Sequence, residues 1–116
     1  MTGVKTIIYS VSDVPAAKAR LDLLLGIEPY SDEPYYVGYK VDGQDIGLTP
    51  KRGDSEVSGP VCFFEVEDIK KTVQDLTESG ATIVEDVRDV GNGRLIATLR
   101  DPDGNPLGVL QDPPAA

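Results

Sequence analysis

The sequence predicts an α+β fold of two tandem βαβββ modules whose curved mixed sheets surround a concave cleft. Three observations predict it. The β-rich runs "VKTIIYSVSDV" (4–14) and "GPVCFFEVEDI" (59–69) match at an offset of 55, each carrying Val-x-Asp near its end. A helical spacing of apolar residues follows each aspartate. Each half then closes on an Asp-Gly turn with a second glycine four residues on, in "VDGQDIGL" (41–48) and "PDGNPLGV" (102–109). Two copies of one supersecondary unit point to duplication, since neither copy buries its sheet alone.

In the first half, strand residues 4–11 lead to Asp13, a natural N-cap, and Pro15 falls in the first turn, where proline is tolerated. Val14, Ala17, Leu21, Leu24 and Leu25 are spaced to share one helix face, and Gly26 stops the helix. The strands "YYVGYKV" and "QDIGLTP" meet at Asp42-Gly43, a two-residue hairpin loop that pairs Gly38 with Gly47, Tyr36 with Thr49 and Lys40 with Asp45. The polar stretch "PKRGDSEVSGP" (50–60) connects the halves. In the second half Asp68 caps a helix whose inner face is Ile69, Thr72, Val73 and Leu76, ended by Gly80. The final hairpin, "GRLIATLRDPDGNPLGVLQ", has an open register because Pro102 lies in its turn. One domain is expected over 1–116, with module 1 at about 4–50, a linker at 51–59 and module 2 at about 60–112.

Strand alternation sorts the side chains into faces. Ile7, Tyr9, Val11, Cys62, Phe64 and Val66 are uniformly bulky and are assigned to the helices, as are Ile46, Leu48, Leu107 and Val109. The opposite, concave face takes Thr6, Ile8 and Ser10, then Tyr36, Gly38, Asp45, Gly47 and Thr49. By repeat symmetry Val61, Phe63, Glu65, Gly108 and Leu110 join them. A glycine in mid-strand weakens a sheet and marks a bulge or something that approaches closely, so Gly38, Gly47 and Gly108 would leave room over the sheet. Tyr36 is a ligand platform or a sheet-packing residue, Phe63 a pocket wall or core. Tyr39, on the helix side, is read as core. Lys40 and Asp45 are most simply a cross-strand ion pair. Arg94, in "GNGRL", is an anion clamp or a solvated loop arginine.

Composition narrows the chemistry. The net charge of −9 argues against nucleic acid and weakly favours cationic small molecules. No run of 18 apolar residues exists, so no membrane span is expected, and "MTGVKTIIYSV" lacks the parts of a signal peptide, so a cytoplasmic location is expected. The absence of histidine removes His ligands and His bases, and the single cysteine, Cys62, removes thiolate zinc sites and intrachain disulfides. Cys62 lies in the apolar "VCFF" and is read as a buried structural thiol. Catalysis, if any, would use Asp, Glu, Lys, Tyr or an oxygen-bound metal.

The paired βαβββ pattern, with "SVSDVPAAKARLDLLLG", "FEVEDIKKTVQDLTESGA" and "LRDPDGNPLGVLQ", resembles the vicinal oxygen chelate superfamily of glyoxalases, bleomycin resistance proteins and dioxygenases over roughly residues 4–111. The resemblance implies one metal ligand on the first strand of each module, commonly His, and one on the last strand, commonly Glu. Those positions are Thr6 and Gly47, Val61 and Gly108. Val and Gly side chains cannot coordinate, and a neutral threonine hydroxyl binds poorly, so no metal or other cofactor is expected. The family's chemistry relies on a metal that polarises substrate oxygens, so the fold carries over and the activity does not.

The resulting expectation is a metal-free binding protein of the bleomycin-resistance kind. It would sequester a small molecule, such as a cationic or aromatic antibiotic, in a cleft of a homodimer, with "PYSDEPYYVGY" offering Tyr30, Tyr35, Tyr36 and Tyr39. The rival is a lyase, isomerase or dioxygenase-type enzyme with non-standard oxygen ligands from Asp45, Glu65 and Tyr36. A third reading is a structural or regulatory dimer, which a cavity filled by the protein's own side chains would favour.

Overall fold

The computed structural model describes residues 3–51 and 59–114. Most of the linker expected at 51–59 therefore lies outside the described residues. Among these, eight strands and two helices alternate in a mixed α+β order. The strands are β1 (Val4–Val11), β2 (Ser31–Glu33), β3 (Tyr36–Val41), β4 (Gln44–Pro50), β5 (Val61–Glu65), β6 (Thr82–Asp89), β7 (Leu95–Arg100) and β8 (Pro106–Gln111). The helix α1 (Val14–Leu25) follows β1, and α2 (Ile69–Glu78) follows β5. Two compact units divide the chain, one running Thr6–Pro60 and the other from Val61 onward together with the start of β1.

In the first unit the strand order is β2-β3-β4-β1. β4 is antiparallel to β3 and parallel to β1, the crossover between the parallel strands carrying α1. Asp42 (φ 53) and Gly43 (φ 82) both take positive φ. This is the two-residue turn whose twist matches the flanking strands, and it sets Gly38 opposite Gly47 and Lys40 opposite Asp45. Helix α1 starts where the Asp13 carboxylate accepts the Ala16 N–H at 3.0 Å and ends at Gly26 in the left-handed region. Val37, Tyr39 and Leu48 are fully buried under it with Ala17, and Val14, Leu21 and Leu25 pack around them. Tyr39 ties helix to sheet: its hydroxyl donates to Asp22 Oδ1 at 2.6 Å and to the Lys18 carbonyl at 3.2 Å. Burial, then the neighbouring Asp22 carboxylate, push the tyrosine hydroxyl well above its usual pKa.

Two expectations for this unit need correction. Leu24 does not face the sheet but is 77% exposed, and the adjacent Leu23 is 86% exposed. The 3.6-residue period leaves room on the buried face for Leu21 and Leu25, and Leu24 is rotated past its edge. Tyr9 lies abreast of Leu48, on the face expected for it, but its side chain is exposed rather than packed under α1.

The second unit repeats the pairing, with order β5-β8-β7-β6, β5 parallel to β8 and the other neighbours antiparallel. Asp68 caps α2 through the Lys71 N–H at 3.2 Å, and Gln111 Oε1 on β8 accepts the Ile69 N–H at 2.8 Å, satisfying a second free helix donor. Ile69 and Val73 pack on Ala97, Leu99 and Val109. The open register of the last hairpin resolves as Arg100 opposite Pro106, Thr98 opposite Gly108 and Ala97 opposite Val109. Its turn is built by Asp101, whose carboxylate accepts from Asp103 N, Asn105 N and Asn105 Nδ2 at 2.8–3.0 Å. Those bonds, the Asn105 side chain's foremost, hold the Asp101 carboxyl below the ordinary carboxylate range.

On β5 the faces follow the expected alternation, Phe63 abreast of Gly108 and Phe64 abreast of Val109, but the depth of burial does not. Val61 and Phe63, placed on the concave face, are buried, whereas Phe64 and Cys62 are only half-buried. Cys62 is therefore not the fully buried thiol expected from its apolar neighbours.

Candidate functional site

The first unit carries a polar and aromatic face on the side of the sheet away from α1. Register defines it as two rows. Thr6, Asp45 and Lys40 lie abreast on β1, β4 and β3, and Ile8, Gly47, Gly38 and Ser31 form the next row across to β2. Beyond them Ser10 is paired with Thr49, their hydroxyls 3.4 Å apart. The neighbours Thr6, Ile8, Ser10, Tyr36, Gly38, Asp45, Gly47 and Thr49 were all singled out in the sequence, and one sheet gathers them.

Space over the two glycines is filled. A Cβ built on Gly47 would stand 2.6 Å from Tyr36 Cε1 and 2.8 Å from Ile8 Cδ1. One built on Gly38 would stand 2.7 Å from Tyr36 Cε2 and 2.8 Å from the Tyr30 hydroxyl. The Tyr36 ring therefore lies across both glycines, and Tyr30 joins it with the two hydroxyls 3.3 Å apart. Glycine is required here because an aromatic side chain of the same sheet occupies the volume that a Cβ would take. The open room expected above Gly38 and Gly47 is in this conformation an aromatic cover.

Polar groups beside that cover are under-satisfied. Among the described residues, Thr6 Oγ1 and Asp45 Oδ1 are sealed from solvent without a hydrogen-bond partner. Thr6 as a whole is 5% exposed. Lys40 Nζ lies 3.5 Å from Asp45 Oδ1, an ion pair without a directed hydrogen bond, and 5.6 Å from the centre of the Tyr30 ring. An unmade buried hydrogen bond costs about 1–3 kcal/mol, so two adjacent ones mark a place where folding alone does not explain the residues.

The second unit treats its glycine differently. A Cβ on Gly108 would stand 2.7 Å from the Cys62 carbonyl oxygen and 2.7 Å from Phe63 Cδ1. Here backbone as well as a ring closes over the glycine, and Phe63 and Leu110 are buried. Arg94, one of the expected anion contacts, donates from Nε to Asp112 Oδ1 at 2.6 Å. That guanidinium, helped by Glu65 and Lys5 and opposed by burial, holds the Asp112 carboxyl below the usual range. The sequence reading missed Asp112. Its position immediately after the last paired strand residue, Gln111, carried no motif, and only the fold brings it to Arg94.

The donor set does not fit a metal at the positions implied by the family resemblance. Thr6, Gly47, Val61 and Gly108 stand there, two of them covered by aromatic rings, and three of the four have no side-chain donor. Among the described residues no three His, Cys, Asp or Glu side chains gather as a metal site. Asp45, Glu65 and Tyr36, the alternative oxygen set, include only two such residues.

Fold and site together define a mixed α+β protein with a glycine-floored, tyrosine-covered sheet face in its first unit. The chain belongs to the glyoxalase/bleomycin resistance protein/dioxygenase superfamily, whose family model matches residues 3–109. No curated protein matches the sequence. Among solved structures it is similar to an NAD-dependent benzaldehyde dehydrogenase from Legionella pneumophila (TM-score 0.73, 15% identity, 93% of this chain and 98% of that one). It is also similar to a superfamily member from Vibrio splendidus (TM-score 0.71, 20% identity, 93% and 97% covered). A third is the Streptomyces coelicolor methylmalonyl-CoA epimerase with 2-nitronate-propionyl-CoA (TM-score 0.72, 19% identity, 98% and 99% covered). At these identities the likeness is one of fold. No helix among the described residues is long and apolar enough to cross a membrane.

Proposed function

We propose that the protein is a small-molecule-binding member of its superfamily, with two βαβββ modules, that sequesters its ligand without a metal of the His/Glu kind. The observation that carries the reading is the tyrosine cover over Gly38 and Gly47 beside the unsatisfied Thr6 and Asp45 oxygens. Tyr36 and Tyr30 are side chains on one sheet face and can yield their place to a flat ligand, exposing a glycine floor. Binding by aromatic faces and a few placed polar groups needs no reacting group. The acidic chain, at −9, favours a cationic ligand.

The test is a thermal-shift screen of aromatic and cationic small molecules, run with and without a chelator and beside elemental analysis. A specific ligand at about 100 times its Kd stabilises by roughly 2.7 kcal/mol, equally in chelator and without turnover. Binding that disappears in chelator, or conversion of the ligand, would replace sequestration with metal-dependent chemistry. A screen without any shift would leave the tyrosine cover as packing.

A further inference from the structure

Two groups flank the ammonium of Lys40, and a third stands beside one of them. Asp45 Oδ1 lies 3.5 Å from Nζ, the Tyr30 ring centre lies 5.6 Å away, and Thr6 stands beside Asp45 on the neighbouring strand. A carboxylate on one side and an aromatic face on the other form an environment for a cation. Lys40 fills it poorly. Its side chain is 61% exposed, its nitrogen stays beyond good hydrogen-bond reach, and Asp45 Oδ1 and Thr6 Oγ1 keep their acceptor capacity unused. Both oxygens call for N–H donors at about 2.8 Å, which an ammonium tethered to β3 does not deliver. The mostly exposed Lys40 side chain can withdraw into water provided that another cation takes its place, because the Asp45 carboxylate it leaves is largely buried.

We infer that Lys40 stands in for a ligand's ammonium, and that this face binds an organic primary amine. The ligand nitrogen replaces Nζ and donates to Asp45 and Thr6, while its apolar body lies against Tyr30 and Tyr36. The inference rests on the small-molecule-binding reading and adds the chemistry of the ligand to it. It also explains Thr6: a hydroxyl left unsatisfied in the free protein is retained because the bound amine satisfies it.

The experiment titrates 2-phenylethylamine, 2-phenylethanol and phenylethyltrimethylammonium into the wild-type protein and into Lys40→Met, Asp45→Asn and Thr6→Val, with affinity read by calorimetry or NMR shifts. The amine should bind tenfold or more tighter to Lys40→Met than to wild type, and the alcohol should not distinguish them. Asp45→Asn should weaken the amine at least tenfold. Thr6→Val should weaken it too, while raising the Tm of the ligand-free protein, because an isosteric methyl removes a buried unsatisfied oxygen. Lys40 and Asp45 variants are checked for unchanged circular dichroism, and Lys40→Arg should bind like wild type. The inference is overturned if amine and alcohol bind alike, or if the quaternary cation binds as tightly as the primary amine. It is equally overturned if Lys40→Met gains nothing, or if Thr6→Val lowers the Tm. Amine failure with success of other molecules in the broader screen removes this inference and leaves the binding reading standing; failure of every small molecule removes both.

Discussion

Adding a single methyl group at Gly47 and at Gly108 should give different results, although both glycines follow an Asp-Gly pair at the same spacing. At Gly108 the new Cβ meets the Cys62 carbonyl oxygen at 2.7 Å and Phe63 at 2.7 Å, and the carbonyl belongs to a neighbouring, hydrogen-bonded strand. It cannot move without shifting β5. At Gly47 the obstacles are the far end of Tyr36 and the terminal methyl of Ile8, at 2.6 and 2.8 Å. Both can rotate. Overpacking costs about 1–3 kcal/mol, near the top of that range against backbone and near the bottom against a ring that can swing aside. Replacing a strand glycine with alanine returns about 0.5–1 kcal/mol. Gly108→Ala should therefore lose about 2 kcal/mol net and Gly47→Ala close to nothing. For a chain of this length that is a Tm drop of about 8 °C against one within about 2 °C. Urea unfolding with a double-mutant cycle checks the cause. Tyr36→Leu should couple with Gly47→Ala, whereas Phe63→Leu should relieve Gly108→Ala only in part, because the carbonyl remains. Equal losses at the two glycines, or full relief by Phe63→Leu, would refute the distinction between a movable and a fixed cover.

Tyr39→Phe removes the bonds to Asp22 and the Lys18 carbonyl while keeping the buried ring, so chemical denaturation should show a loss of about 1–2 kcal/mol. Asp101 gains native hydrogen bonds that depress its carboxyl below the ordinary 3.8. Its stabilisation is complete above that value and is lost as pH falls through the folded-state value, so Asp101→Ala should flatten the acid limb of a Tm–pH profile below about pH 4. Leu23→Glu with Leu24→Glu should change monomer stability by no more than about 0.5 kcal/mol each, since both side chains already stand in water. A larger loss that depends on protein concentration would reveal that α1 packs against a second copy.

Much of the framework could be read from local chemistry. Asp13, Gly26, Asp68 and the Asp42-Gly43 turn act through backbone geometry within a few residues, and the structure places them at helix ends and a hairpin. The first hairpin's register followed from its turn length. The second did not, because the five residues from Asp101 to Asn105 are organised by the Asp101 side chain, and proline alone does not reveal that. Burial was harder to read wherever an element had apolar residues on both sides: in α1 Leu24 is exposed, and on β5 the buried side chains are Val61 and Phe63 on the face away from the helix. Site residues were legible as a set because strand alternation groups them. Their occupation was not, since alternation says which side a glycine faces but not that Tyr36, two residues before Gly38 on its own strand, turns its ring back across it.

The way each glycine is covered decides which sheet face can open. The same register position carries glycine in both halves, yet it is closed in two ways. In the second unit a backbone carbonyl and a buried phenyl ring close it, and Arg94 of the same unit is held by Asp112 at 2.6 Å. Opening the surface over Gly108 would require movement of β5. In the first unit the closure consists of side chains alone, one of them the 57% exposed Tyr30, beside a carboxylate whose lysine partner is mostly in water. Rotation of two aromatic rings and one lysine suffices there. The matched spacing of the two glycines would suggest two equivalent faces, whereas the packing leaves only the first able to open by side-chain movement, and the unsatisfied oxygens of Thr6 and Asp45 lie there.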